Sequence, residues 1–235
     1  MKKLIPISVF ISAFLIIGLT DITAQHKNFV LGLQGGIFLP SSDLIYGYQA
    51  ISFDNDSPDG LSAYGFGSGG NFNLRFQYFP SNLGIHFDGG VCILNRDITM
   101  ALAPNGEEVK YNNTLNLFPI ELGLVYRFIM ESNKVVPYYS AGICGYYGIM
   151  DRKYQQFNSP EEFFHGTAIS VGLYHALGMY IAIYHDLLFN AEIKMNYASG
   201  TWELEDQAEN ASESIQYDKL NTGGTTFKAG LAFRF

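Results

Sequence analysis

Hydrophobic and polar residues alternate along much of the chain, and the C-terminal end shows the pattern most clearly. Apolar residues occupy every second position from Phe227 to Phe235, with Lys228 and Arg234 among the residues between them. Side chains alternate across a β-strand, so this stretch predicts a strand with one apolar face. In the strand predicted at 166–184, His175 interrupts the apolar face, and we expect a β-bulge there. The alternation predicts strands at about 28–39, 63–79, 83–97, 114–129, 135–149, 166–184, 187–199 and 222–235.

The connections between these predicted strands alternate between long and short. The long ones cover roughly 40–62, 98–113, 150–165 and 200–221, and the short ones cover 80–82, 130–134 and 185–186. Membrane barrels have short turns on the periplasmic side and long loops outside. The sequence therefore predicts an all-β fold, an eight-stranded antiparallel up-and-down transmembrane β-barrel.

The apolar faces of such strands could point inward, as in a soluble lipocalin-like secreted barrel, or outward into lipid. Three features favour lipid. The apolar set is bulky and aromatic on every strand, and the opposite set is rich in glycine, which suits a narrow interior. Aromatic residues also gather at the strand ends on the short-turn side, as in a membrane-interface girdle. These residues are Phe29, Tyr78, Phe128, Phe189 and Phe235.

The opposite faces also carry charged residues, which would then lie inside the barrel. Buried charges are costly without partners, so we expect a structural network in which Arg75 pairs with Asp88 and Glu192 reaches Lys228 or Arg234. A gated polar path is the alternative, but the interior of eight strands can be filled by side chains. The predicted members of this lumen network are Arg75, Asp88, Glu121, Arg127, Glu192, Lys194, Lys228 and Arg234.

Composition narrows the class of protein further. Of the 235 residues, 48% are hydrophobic and only 15% are charged, against roughly 25% charged in soluble domains. The low charge and the many aromatic residues exclude a disordered chain. The net charge of −8 disfavours a nucleic-acid partner, since phosphate contacts need positive charge.

The N-terminal segment has the order of a secretory signal peptide. Lys2 and Lys3 precede an apolar run over 4–19, and Ala24 supplies the small residue before a cleavage site. We predict a signal peptide at 1–25 and a barrel domain at 26–235. The alternative is an uncleaved anchor helix, but the apolar run is shorter than the roughly 20 residues that a span needs.

Few residues suggest chemistry beyond this architecture. Cys92 and Cys144 lack metal-ligand spacing, and we expect buried thiols, although a disulfide across the lumen is an alternative. His165 with Ser170 is the one combination that suggests acyl-transfer catalysis. We predict no catalytic site, no metal site and no cofactor.

Three segments carry a resemblance to a known family. The C-terminal FKAGLAFRF at 227–235, the segment 118–128 and the segment 136–138 resemble the small outer-membrane β-barrel proteins of Gram-negative bacteria, the OmpA/OmpX/OmpW-like group. The Ala24-Gln25 junction is similar to that of secreted proteins of the Bacteroidota. The resemblance implies that Phe233 and Phe235 form the signal read by the barrel-assembly machinery.

The resemblance also implies a location and a range of functions. We expect a monomer in outer-membrane lipid with both termini in the periplasm. The expected role is structural or in surface interaction, without a large pore. Alternatives within the resemblance are passive transport of small hydrophobic solutes through a lateral path, as in OmpW-like proteins, and lipid A modification by a barrel enzyme.

Overall fold

A computed structural model describes the chain over 28–41, 67–102, 107–128, 134–156, 162–206 and 214–235. The predicted signal peptide at 1–25 and most of the first predicted long loop lie outside the described residues. The strands are β1 (Phe29–Pro40), β2 (Gly69–Tyr78), β3 (Leu83–Leu102), β4 (Glu107–Arg127), β5 (Val135–Gln156), β6 (Glu162–Tyr184), β7 (Leu187–Asp206), β8 (Ser214–Asn221) and β9 (Gly224–Arg234).

These strands form one closed antiparallel sheet. Each strand from β1 to β7 pairs with its neighbours in sequence, and β9 closes the sheet by pairing with both β1 and β7. β8 pairs with the remaining part of β7 and is joined to β9 through Thr222, whose N–H donates to the Ala198 carbonyl at 2.9 Å. β8 and β9 are therefore two segments of the eighth strand of the barrel, and the predicted fold class is confirmed.

The direction of the side chains decides between a soluble barrel and a membrane barrel. Leu122, Ile193 and Leu231 are 52%, 48% and 52% exposed, whereas Lys194, next to Ile193 in β7, is 1% exposed. Apolar side chains cover the outside and polar side chains line the inside. The soluble alternative is wrong, because such a surface would be unstable in water. No helix among the described residues is long and apolar enough to cross a membrane.

Much of three predicted long loops is strand. β3 continues to Leu102 and β4 begins at Glu107, and the two strands pair up to these two residues. Only residues 103–106, which the structure does not describe, separate them. β5, β6 and β7 extend beyond the predicted ends in the same way. Beyond the bilayer both faces of a strand meet water, so the apolar–polar alternation fades while the backbone ladder continues.

The predicted bulge at His175 is wrong. His175 pairs in regular register with Ala141 of β5 and with Met195 of β7. Its ring stacks on that of Tyr197 with 5.9 Å between centroids, so a polar ring is accommodated without a break in the ladder. The irregularity in β6 lies between Ala182 and Tyr184.

The interior of the barrel is layered along its axis. One end, called here the terminal end, holds the start of β1 and the end of β9, and the other is the loop end. Apolar side chains fill the lumen near each end, and the charged residues lie between them. The terminal cluster consists of Val30, Phe79, Val125, Tyr138, Tyr180, Leu188 and Ala232. The outer cluster, toward the loop end, consists of Phe38, Cys92, Leu94, Leu115, Leu117, Cys144, Tyr146, Met150, Ala168, Tyr174 and Ala198.

Candidate functional site

Four charged side chains meet in the middle of the lumen. Arg75 and Asp88 are register partners on β2 and β3, and Glu192 and Lys228 are register partners on β7 and β9. The Arg75 Nε and Nη2 atoms donate to both Asp88 carboxylate oxygens at 2.9 and 2.8 Å. Arg75 also contacts Glu192, with 2.7 Å between Nη1 and Oε2. Lys228 Nζ lies 3.0 Å from Asp88 Oδ2 and 3.1 Å from Glu192 Oε1.

A second ion pair lies beside these four residues. Lys194 on β7 contacts Glu121 on β4 across the lumen. Glu121 is the register partner of Asp88 on the neighbouring β3, which places the pair next to the central group. All six charged side chains have almost no solvent exposure.

Uncharged polar side chains complete the central layer. Arg75 Nη1 donates to the Tyr138 hydroxyl at 2.7 Å, and that hydroxyl donates to Glu192 Oε2 at 2.8 Å. Asn190 Nδ2 also donates to the Tyr138 hydroxyl, at 2.9 Å, while Gln34 donates to the Asn190 side-chain oxygen. These contacts satisfy donors and acceptors that would be costly to leave unpaired in a buried site.

The charges of the central layer balance. Arg75, Lys194 and Lys228 supply three positive charges, and Asp88, Glu121 and Glu192 supply three negative charges. Removing an ion from water into a protein interior costs several kcal/mol, and only a partner of opposite charge offsets that cost. The layer is thus a neutral polar plug that ties opposite walls of the barrel together.

His86 lies next to this layer and raises the possibility of a metal site. Its side chain is buried, Nε2 is 3.2 Å from Asp88 Oδ1, and neither ring nitrogen has a hydrogen-bond partner among the described residues. His86, Asp88 and Glu121 offer ligand atoms within 4.8 Å of one another. Both carboxylates are already paired with cations, so a divalent ion would add two uncompensated positive charges. This balance argues against a metal at His86.

The structure brings six of the eight predicted network residues together and leaves two apart. Arg127 and Arg234 lie at the terminal end of the lumen. The Arg127 guanidinium packs over the Phe79 ring with 3.7 Å between its carbon and the centroid. The Arg234 Nε atom lies 3.8 Å from the Asp186 carboxylate. Of the two predicted partners of Glu192, Lys228 is the one that it contacts, because these two residues are register partners on β7 and β9. Arg234 lies farther along β9, beside the turn, where its N–H donates to the Asp186 carbonyl.

Sequence reasoning missed the neutral partners of the network. Asn190 and Gln34 occupy inward positions of their strands, so the alternation already places them in the lumen. Tyr138 is a bulky aromatic residue on the inward face of its strand, and so it departs from the glycine-rich lining that the sequence predicts. Its contacts with Arg75 and Glu192 depend on the barrel register.

The remaining predicted residues are also placed by the structure. His165 and Ser170 lie on opposite faces of β6: His165 contacts Asp151 at 2.7 Å, whereas buried Ser170 contacts Thr222 at 2.6 Å. They do not form a catalytic pair. Cys92 and Cys144 are free thiols in the outer cluster.

The two residues of the predicted assembly signal lie at the terminal end of β9. Phe233 points outward, and its ring lies 6.3 Å from that of Phe235. The Phe235 ring in turn stacks on Phe29, 5.9 Å away, and Phe29 packs on Tyr78 at 4.8 Å. Aromatic rings thus cover this edge of the barrel, as the predicted girdle requires.

Comparison with known proteins yields structural likeness alone. No protein-family model matches the chain, and no curated protein matches it significantly. A major outer membrane protein from Thermus thermophilus is similar over 89% of this chain and 100% of its own, with 12% identity and a TM-score of 0.52. Neisserial surface protein A gives 16% identity over 89% and 98% of the two chains, with a TM-score of 0.42.

The outer membrane protease OmpT from Escherichia coli gives 9% identity over 92% of this chain and 99% of its own, with a TM-score of 0.44. At identities this low, likeness concerns the fold and not the activity. The fold of this chain is that of small outer-membrane β-barrel proteins.

Proposed function

We propose that this protein is an integral outer-membrane protein whose closed barrel is structural and whose loop end serves surface interactions. The observation that carries the proposal is the balanced plug of six buried charges between two apolar clusters. A solute passing through would have to separate buried ion pairs, each of which is costly to break. The barrel therefore has no large pore.

The outer surface supports insertion into a lipid bilayer. Large apolar side chains on neighbouring strands are exposed together, and in water such a surface would aggregate. The proposal includes cleavage of the signal peptide at 1–25, periplasmic termini, a monomeric state and assembly by the barrel-assembly machinery. Examples of the exposed side chains are Ile37, Phe72, Ile85, Ile120, Ile143, Leu173, Ile193 and Leu231.

Electrical recording tests the closed lumen. Purified protein in a planar lipid bilayer is expected to show no conductance of the size given by large-pore porins. The double variant Arg75→Ala, Glu192→Ala removes the contact across the lumen and is expected to raise the leak current. A large, stable conductance from the unaltered protein would contradict the proposal.

Gel mobility tests membrane insertion. An outer-membrane fraction is separated by electrophoresis with and without boiling, because folded barrels resist detergent until heated. Two mobilities are expected. A single mobility, or recovery of the protein in the soluble periplasmic fraction, would count against an integral barrel.

Passive transport of small hydrophobic solutes is a second candidate function, and the outer cluster favours it. Phe38, Leu94, Leu115 and Leu117 give the loop-end half of the lumen an apolar lining above the ionic plug. Under this candidate function the packed cluster parts to admit an apolar solute, which then leaves sideways into lipid. Uptake of a hydrophobic dye into liposomes distinguishes the candidates. The transport hypothesis predicts uptake by the unaltered protein and its loss in Leu117→Arg, whereas the structural hypothesis predicts no uptake by either protein.

A catalytic role has less support. The separation of His165 and Ser170 onto opposite faces of β6 leaves no acyl-transfer pair there, and we propose a non-enzymatic protein. Mass spectrometry of lipid A from a deletion strain tests this. An altered acyl pattern would favour the lipid A-modifying alternative.

A further inference from the structure

Three cationic residues line one cavity at the terminal end of the lumen. Arg127, Lys134 and Arg234 line it together with apolar walls from the terminal cluster and its neighbours. None of the described residues that line it is an aspartate or a glutamate. The lining residues are Val30, Arg127, Lys134, Val136, Tyr180, Ala182, Leu188 and Arg234.

The charges at this cavity do not balance as they do in the ionic plug. In the plug every cation contacts a carboxylate. At the cavity, the carboxylate of Asp186 lies near Arg234, but the Oδ1 atom is 3.8 Å from Nε, which exceeds a hydrogen-bond distance. Among the described residues, Asp186 is the one acidic side chain that the structure pairs with any of these three cations.

The geometry of Arg127 prepares it to bind an anion. Phe79 supports the face of its guanidinium, and Nη2 donates to the Ser81 carbonyl at 3.2 Å. These contacts hold the group in place while its Nε–H has no partner among the described residues. The Nε–H of Arg234 is likewise buried and without a hydrogen-bond partner there.

We propose that the mouth of this cavity, the terminal cation pocket, binds a phosphate group. The enclosed space of about 20 Å³ has room for about one water molecule, so the phosphate lies at the opening. Guanidinium groups form paired charge-assisted hydrogen bonds to phosphate oxygens, and a lysine adds a third positive charge. A phosphate group would supply acceptor oxygens to the Nε–H groups of Arg127 and Arg234, which have no partner among the described residues. Inorganic phosphate and a phospholipid headgroup both offer this chemistry at the mouth of a membrane barrel, and the experiment separates them.

Nuclear magnetic resonance of the arginine Nε–H groups provides a direct readout. The ¹⁵N-labelled full-length mature protein, folded in a phosphate-free maltoside detergent, is titrated first with inorganic phosphate and separately with a short-chain phosphatidylglycerol. Saturable shifts of the Arg127 and Arg234 resonances are expected. Response to phosphate assigns the site to a free anion, and response to the lipid alone assigns it to a headgroup.

Matched variants test whether the pocket itself is responsible. Arg127→Gln is expected to weaken binding of the responding probe at least about tenfold, since it removes the charged guanidinium and its hydrogen-bond donors. Lys110→Gln is the control, because it removes the same charge from an exposed position of the same strand, at the loop end. Lys134→Gln, at the edge of a turn, is the second pocket variant and is used if Arg127→Gln fails to fold.

Several results would overturn the proposal. One is the absence of any shift with either probe, and another is equal weakening by Lys110→Gln, which would indicate unspecific attraction. Glu131 belongs to the segment 129–133, which lies outside the described residues. If phosphate binds to Glu131→Gln but not to the unaltered protein, the carboxylate of the chain already occupies the pocket and the proposal is wrong.

Discussion

Arg75 and Glu192 lie on strands that are not neighbours, yet Arg75 Nη1 is 2.7 Å from Glu192 Oε2. β1 and β9 separate their strands, β2 and β7, in the sheet. The Arg75 side chain therefore crosses the lumen, and the interior is a packed polar layer with apolar layers on both sides. The stability of the barrel and its permeability depend on the same contacts.

The ion pair formed by Lys194 and Glu121 can be tested by comparing a single with a double substitution. Lys194→Met leaves the Glu121 carboxylate buried without its cation and is expected to destabilise the barrel by about 3–5 kcal/mol. The double variant Lys194→Met, Glu121→Leu removes both charges and is expected to cost much less. Urea unfolding in lipid vesicles measures both. A double variant that loses as much stability as Lys194→Met, or more, would show that the two charges do not depend on each other.

The lipid-facing surface can be tested on β7. Ile193→Arg, in the middle of the exposed apolar band, is expected to destabilise the barrel by about 2–4 kcal/mol because the charge enters hydrocarbon. Ser199→Arg, on the same face nearer the loop end, is the control, with an expected cost of about 0–1 kcal/mol. Unfolding in vesicles gives both values, and a larger cost at Ser199 would contradict the placement of the bilayer.

The outward face of that band could be predicted from sequence, and so could the pairing of Arg75 with Asp88 and of Glu192 with Lys228 on neighbouring strands, whereas the contacts across the lumen could not. Alternation places Ile193 and Lys194 on opposite faces, whatever the register. Which acid Lys194 meets depends on the stagger of all the strands around the barrel, and the contact with Glu121 lies across the lumen. No local pattern carries that stagger. Arg127 and Arg234 alternate with apolar residues as the plug residues do. They lie nearer the terminal end along the barrel axis, however, and so do not join the plug.

Gly172 and Gly70 are expected to differ in how much an added Cβ atom destabilises the barrel, because neighbouring strands approach them to different extents. A Cβ at Gly172 would overlap the Tyr197 carbonyl oxygen and Ala198 Cα, whereas a Cβ at Gly70 would meet nothing within 4 Å. Gly172→Ala is therefore expected to destabilise the barrel by about 1–3 kcal/mol, and Gly70→Ala to leave stability nearly unchanged. Unfolding midpoints compare the two. Equal effects would mean that the β6–β7 contact is not tight.

The C-terminal aromatic residues predict an assembly phenotype. Deletion of Phe235 removes the ring that stacks between Phe29 and Phe233 and part of the predicted assembly signal. We expect a lower fraction of folded protein in the outer membrane, measured as the heat-sensitive band. Phe235→Tyr keeps an aromatic ring and serves as the control. Normal assembly of the truncated chain would contradict the role of Phe235.

The sequence by itself determined the strands, the outward apolar face and the all-β class, because side-chain alternation is a local property of a strand. It underestimated the strand lengths, since water on both faces removes the alternation beyond the bilayer while backbone pairing continues. Only the tertiary structure decided that three cations and three carboxylates neutralise one another in mid-lumen while Arg127, Lys134 and Arg234 share a separate pocket. The reason is geometric: pairs across a closed barrel depend on strand stagger and axial height, which arise when the sheet closes.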